Sequence, residues 1–313
     1  MASGENPDQP RQPRNLQGLL KFAMEATKSE DAPNAAQFQP LDDERRRFLE
    51  EALKSLTVDV VQELEKSMNV LLNNESDENA KIDALETVTD FVEDIDTAND
   101  FFKVGGFVII KPGLESSSAE VRSRTLRLIV ALAQCNPFCQ QHLLELNILP
   151  KLIELLADEV TVAQDAVSAA SAMVRQYEPC AKAFIEIGGL ECIVKCLQSD
   201  NEKVCIRSSF LMVSLSKEYA PVMDKFIKLN AIECVLAWIE LSDRKLEMGL
   251  SALSTLAECK EGVQRCRTDS TLKEKLDMII ELGQGKDRFW APTDVAQTLL
   301  KLCYSGEQDG ADR

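Results

Sequence analysis

Histidine occurs once in this 313-residue chain, at His142, and no apolar run approaches the length of a membrane span. Each scarcity removes a class of function. With a single imidazole and no motif around it, nothing nominates a His-rich metal site or a nucleophile for a Ser–His–acid arrangement. A helical span needs about 18 or more apolar residues, so no membrane partner is expected. Aromatic residues make up only 5%, with 13 Gly and 11 Pro. Aliphatic residues and Ala must therefore build the core, which favours helices over a β-sandwich. Bases are also in deficit: 35 Lys and Arg stand against 52 Asp and Glu, a formal net charge of −17. Such a chain repels a phosphate backbone and an anionic lipid surface, so no nucleic-acid partner is expected. The opening MASGENPDQPRQPRN has no apolar signal core, and the closing SGEQDGADR carries no retention or lipidation signal. A cytoplasmic location is the reading.

Cysteine is plentiful, at positions 135, 139, 180, 192, 196, 205, 234, 259, 266 and 303. Cys135/Cys139 and Cys192/Cys196 are i,i+4 pairs. A structural zinc site wants four ligands from close pairs, often with His, and the scatter does not supply them. Reduced thiols serving as small core residues are the plainer reading. The acidic excess is uneven: residues 73–100 hold ten acids and one base, Lys81. That run is either a solvated helix face or an edge turned toward a basic partner.

Four segments align: DFFKVGGFVII (100–110), HLLELNILPKL (142–152), AFIEIGGLECI (183–193) and KFIKLNAIECV (225–235). Their sixth positions are Gly105, Asn147, Gly188 and Asn230, at steps of 42, 41 and 42. Gly and Asn most readily take the left-handed conformation that closes a helix. Pro137, Pro179 and Pro221 recur at steps of 42 and suit the first turn of a helix. Val121, Val162, Val204 and Leu246 open apolar stripes at helical spacing. Each unit reads as a short helix, a stop, a second helix, a turn and a longer third helix. Three helices in about 40–47 residues is the armadillo and HEAT period. One unit cannot bury its own apolar face, so units stack. The expectation is an all-α, armadillo-like right-handed solenoid of about four three-helix repeats with helical caps at both ends.

The same ladders set the boundaries. Residues 1–40 should be mostly disordered, with a short amphipathic Leu-rich stretch at 15–27 (NLQGLLKFAMEAT). Residues 41–96 form an N-terminal helical cap, 97–259 the four repeats, 260–304 a C-terminal helical cap, and 305–313 a disordered tail.

No catalytic constellation is present. GQGKDR (283–288) lacks the spacing and the Ser/Thr of a phosphate-binding loop and reads as a turn. No enzyme activity, cofactor or metal is expected. Third helices line the concave side of such a stack. Three residues beyond each stripe opener stand Arg124, Asp165, Arg207 and Gly249, with Arg122 and Arg127 flanking the first. Arginine can pair bidentately with carboxylates, which suits a polar protein interface, although ordinary surface charge explains any single one.

Several stretches resemble one family. NLQGLLKFAMEAT, DERRRFLEEAL (43–53), DTANDFFKVGG (96–106), VCIRSSFLM (204–212) and VQRCR (263–267) are similar to segments of the armadillo-type nucleotide exchange factors of cytosolic heat-shock protein 70 chaperones, the Hsp70-binding-protein and Fes family. The resemblance spans about residues 15–303. It implies a concave face that grips one lobe of the chaperone's nucleotide-binding domain, displaces it and weakens the site for ADP. It also implies that Ala98 and Asn99 at the repeat opening and Arg207 in the third helix contact the chaperone; with Asp100 and the helix-row arginines Arg122 and Arg124 they make up the expected partner-binding set. Thr97 stands where many relatives have Asn. The N-terminal segment would compete for the client groove through Leu16, Leu19, Leu20, Phe22 and Met24. Nothing suggests self-association, so a monomer is expected. Two alternatives stay open: another armadillo-type interaction scaffold, such as a transport receptor or a purely structural one, and a lumenal chaperone exchange factor. Transport receptors carry Trp/Asn ladders on their third helices, whereas this chain has only Trp238 and Trp290.

Overall fold

The structure, a computed structural model, describes residues 59–239, 245–283 and 290–304. The chain divides into two compact units, Met1–Lys66 and Ser67–Arg313. Of the first, the described residues are the opening turns of helix α1, Val60–Leu72. The stretch 15–27 with its five apolar residues, most of the expected N-terminal cap and the tail 305–313 lie outside the described residues. In the second unit the described residues are helical, without a strand.

Helix α2, Glu78–Val92, is started by Asp77, whose carboxylate accepts from the Ala80 N–H at 2.7 Å. Four triplets come next. The first is α3 (Ile95–Lys103), a 3-10 turn (Gly106–Ile109) leading into the short α4 (Ile110–Leu114), and α5 (Ala119–Ala133). The second is α6 (Pro137–Glu145), α7 (Leu149–Leu155) and α8 (Val160–Val174). The third is α9 (Glu178–Glu186), α10 (Gly189–Cys196) and α11 (Glu202–Glu218). The fourth is α12 (Ala220–Lys228), α13 (Ala231–Trp238) and α14 (Leu246–Leu256). Helices α15 (Lys260–Thr268), α16 (Leu272–Gly283) and α17 (Trp290–Tyr304) end the described chain.

The stop ladder is visible in the backbone. Gly105, Asn147, Gly188 and Asn230 have φ of 81, 53, 84 and 62°, all left-handed. Four residues before each stop sits one fully buried anchor: Phe101, Leu143, Phe184 and Phe226, all 0% exposed. The prolines at 137, 179 and 221 lie in the first turn of α6, α9 and α12, where a missing N–H costs no helix bond. The first triplet departs from its siblings in its second helix. There Pro112 removes a donor, and Gly113 lies so close to Thr125 that an added Cβ would meet its Oγ1 at 2.3 Å. The helix shrinks to a 3-10 turn and little more than one α-turn.

Stacking runs through the third helices. Helix α5 packs between α2 and α8, α11 between α8 and α14, and α14 against α17. The first helices form a parallel row, α3 on α6 and α6 on α9. Small residues let the third helices approach closely: Ala166, Ala169 and Ala170 of α8 and Ser208 of α11 are 0% exposed. Each stripe opener, Val121, Val162, Val204 and Leu246, is buried as the spacing predicts.

Candidate partner-binding face

Because the third helices lie side by side, their outward stripes form one continuous face. Of the row three residues beyond the openers, Arg124, Asp165 and Arg207 reach it, whereas Gly249 is buried in α14. Asp165 of α8 is the centre of the row. Oδ2 accepts from Ser123 Oγ at 2.7 Å and Arg127 Nε at 2.9 Å, both on α5. Oδ1 lies 3.1 Å from Arg207 Nη1 of α11, which also donates to the Gln164 carbonyl at 2.6 Å. One carboxylate thus ties three third helices. Burial pushes the Asp165 carboxyl up, but the Ser123 hydroxyl and the two guanidinium groups outweigh it and hold the group below its ordinary value. The carboxylate side chain is 9% exposed, while Arg127 and Arg207 keep 50% and 38% of theirs at the surface. The helix spacing nominated Asp165 and Arg207 as one row; their direct pairing, and the participation of Ser123, required the structure.

The other nominated residues divide. Arg124 is held between Glu86 of α2 and Glu120 one turn earlier, with part of its guanidinium at the surface. Arg122 is committed inside the fold. It makes a bidentate pair with Asp158, both contacts 2.8 Å, and donates to the Ser116 and Ser117 carbonyls. Ala98 is a packing residue of α3, 1% exposed, and its side chain offers no surface. Its neighbour Asn99 is half-buried, accepting from Asn136 Nδ2 at 3.1 Å and so tying α3 to α6. Asp100 is open to solvent and pairs with Lys103 at 2.8 Å. At the repeat opening, Asn99 and Asp100 are therefore the groups with surface-facing polar atoms.

His142 has a packing role. Its ring stacks on Phe102 at 3.7 Å between centroids and meets Phe138 edge-on at 4.6 Å. Its Nδ1 lies 2.8 Å from the Glu145 carboxylate, which that contact holds below its ordinary value. No nucleophile accompanies it among these contacts. All ten cysteines are free thiols. Burial pushes the Cys139 and Cys180 thiols up to about 12, which makes them poor nucleophiles. Among the described residues no group of three or more His, Cys, Asp or Glu side chains converges as metal ligands would.

Two features escaped the sequence reading. Arg127, not Arg124, is the α5 arginine that pairs with Asp165; helical spacing places both on the same side, and only the neighbouring helix decides between them. Phe210 of α11 is 40% exposed, with the Arg175 guanidinium 4.7 Å over its ring. Its place at i+3 from Arg207 was the signal in the sequence.

Comparison with known proteins adds family information. The family described as SIL1/FES1/HPBP1 C-terminal domain matches residues 97–231, and the family described as nucleotide exchange factor Fes1 matches residues 16–101. Hsp70-binding protein 1 of Mus musculus is 27% identical over 319 residues, covering 96% of this chain and 88% of that protein. The Homo sapiens protein of the same name is 27% identical over 318 residues, with the same two coverages. Nucleotide exchange factor SIL1 of Xenopus laevis is 26% identical over 183 residues, 57% of this chain and 39% of that protein. Among solved structures, the designed armadillo repeat protein YIII(Dq)4CqI superposes with a TM-score of 0.64 at 18% identity, over 77% of this chain and 99% of that one. That likeness establishes the armadillo-like fold alone.

Proposed function

This chain belongs to the SIL1/FES1/HPBP1 family of Hsp70 nucleotide exchange factors, and from that premise we infer that it is a nucleotide exchange co-chaperone that binds the nucleotide-binding domain of an Hsp70. The observation that carries this reading is the match of two nucleotide-exchange-factor family descriptions, one at residues 16–101 and the other at 97–231, on a chain whose third helices stack side by side. The third-helix face takes one lobe of the chaperone and displaces it, so that ADP leaves. The contacts we assign are Asn99 and Asp100 at the repeat opening, and Arg124 and Arg207 on the third helices. No group of this chain has to touch the nucleotide. A binder that prefers the opened chaperone must lower its affinity for ADP, and nucleotide must lower affinity for the binder by the same factor. A coupling of about 1–3 kcal/mol corresponds to roughly 5–150-fold. The role is regulatory rather than catalytic. We place it in the cytoplasm, because ten unpaired thiols suit a reducing compartment. The Leu16, Leu19, Leu20, Phe22 and Met24 stretch would assist client release by occupying the groove that favours short apolar segments.

The test is release of fluorescent ADP from a preloaded cytosolic Hsp70, followed by stopped flow. The full chain should accelerate release, and Arg207→Ala combined with Asp100→Arg should abolish the acceleration while circular dichroism shows the helices intact. No acceleration with any cytosolic Hsp70 sinks the reading.

A further inference from the structure

The outward stripe of α11 carries Lys203, Arg207, Phe210 and Lys217, at i, i+4, i+7 and i+14. Lys203, Phe210 and Lys217 are exposed and Arg207 partly so; the exposed acid on this side of the helix is Glu218, at its last position, whose carboxylate accepts from the Gln176 N–H at 2.8 Å. A lone exposed apolar residue means little by itself. This one is different because of what sits on it. Arg175, at the end of α8, lays its guanidinium over the ring at 4.7 Å. Its Nε is buried and has no hydrogen-bond partner. Arg175 has therefore given up a hydrogen bond at Nε while stacking on an aromatic ring that water can reach. Water-exposed cation–π contacts are worth only about 0.5–1 kcal/mol, and desolvated ones about 2 or more. The arrangement gains most when something covers it.

The surroundings indicate what covers it. With Arg175 over one side, the Phe210 ring still keeps 40% of its surface open to solvent. Toward the ends of the third-helix row exposed acids stand at Glu86 on α2, which pairs with Arg124, at Glu247 in the first turn of α14, and at Glu258 just beyond that helix. On a chain of net charge −17, the middle of this face is net basic: Lys203, Arg207 and Lys217 share a helix with one aromatic ring that lies under Arg175, against the two carboxylates of Asp165 and Glu218. Buried aromatic residues with arginines around them are the usual energetic centre of protein interfaces.

We propose that Phe210, under its Arg175 lid, is the apolar anchor of the interface with the Hsp70 nucleotide-binding domain, inserting into an apolar spot on a lobe surface that is otherwise acidic. The proposal deepens the exchange-factor reading and rests on it. The lysines at either end of the stripe steer the acidic surface, and the ring supplies the residence time.

Affinity of the full chain for an isolated Hsp70 nucleotide-binding domain, measured by titration calorimetry, tests it. Phe210→Ala should weaken binding about 30-fold or more, the scale of an interface hot spot. Phe210→Tyr should stay within a few-fold of the wild type. Lys203→Glu with Lys217→Glu should slow association and flatten its salt dependence. A second readout does not depend on affinity: Phe210→Trp should show an emission shift on adding the domain that the wild-type chain, with Trp238 and Trp290, does not show. Wild-type binding together with a Phe210→Ala affinity within two-fold, or no added Trp signal, overturns this anchor and leaves the family reading standing. A wild-type chain that neither binds nor accelerates ADP release overturns both.

Discussion

Arg207 reaches back 42 positions to Asp165, its Nη1 3.1 Å from Oδ1, and shares that carboxylate with Arg127 and Ser123. A repeat step separates the two residues, so the pairing is a contact between equivalent helices of adjacent triplets. It makes Arg207 both a strut and a surface group, and the two roles can be separated. Asp165→Ala removes the shared acceptor and leaves two guanidinium groups facing each other. The cost should be about 2 kcal/mol of stability, below the figure for a fully buried pair because both arginines are partly solvated. Urea unfolding would measure it. Arg207→Lys keeps the charge but not the forked geometry, so it should lower affinity for Hsp70 more than stability.

Acid should weaken the same tie. Asp165 titrates below the ordinary aspartate value in the folded protein, and near about 3.9 in an unfolded chain. A lowered carboxylate contributes stability above its unfolded value and loses it as pH falls through the folded one. The stability difference between wild type and Asp165→Asn should therefore be constant from about pH 7 to pH 5 and shrink below about pH 4. A difference that instead disappears between pH 6 and 7 would mean that some other group sets it.

Arg122 should behave unlike its neighbours on α5. Its guanidinium is clamped by Asp158 and two carbonyls, with 13% of the side chain exposed. Arg122→Ala should cost about 2–3 kcal/mol, the range for charge-assisted hydrogen bonds that are largely desolvated. Its effect on ADP release should vanish once the chain is assayed well below its unfolding midpoint. A loss of exchange activity in a fully folded variant would return Arg122 to the interface.

The contrast between Arg122 and Arg207 shows what the sequence made legible. Periodicity fixed which positions face outward, because 3.6 residues per turn is a property of the chain itself. The stops at Gly105, Asn147, Gly188 and Asn230 were legible for the same reason: left-handed φ is a demand on residue type. Partner identity was not legible. Asp158 lies 36 positions from Arg122, and Glu86 lies 38 positions before Arg124, distances that only the stacking of triplets converts into contact. The motif DTAND identifies a segment, whereas burial is decided residue by residue around the helix, and Ala98 falls on the buried side. Asn99, one position on, turns its carboxamide toward α6.

The N-terminal stretch makes a separable prediction. If Leu16, Leu19, Leu20, Phe22 and Met24 act on the client groove, then Leu19→Ser with Leu20→Ser in the full chain should leave ADP release unchanged. Release of a fluorescent client peptide from Hsp70 should slow. Removing residues 1–40 should do the same. Equal client release by the variant and the wild type would dismiss the segment's role without touching the exchange reading.

The junction between α14 and α15 offers a test of packing alone. Gly262 opens α15 so close to the end of α14 that an added Cβ would lie 1.8 Å from the Leu256 carbonyl oxygen and 2.7 Å from its carbon. Those are backbone atoms, which cannot swing aside as a side-chain tip can. Gly262→Ala must therefore push α15 away from α14, and α17, which packs on both helices, must move with it. The cost should reach or exceed the roughly 1–3 kcal/mol typical of overpacking. Because stacked triplets depend on their neighbours for burial, hydrogen exchange should rise first in α15, α16 and α17, with α5 and α8 still protected. Uniform loss of protection along the whole chain would show instead that the stack unfolds as a single cooperative block.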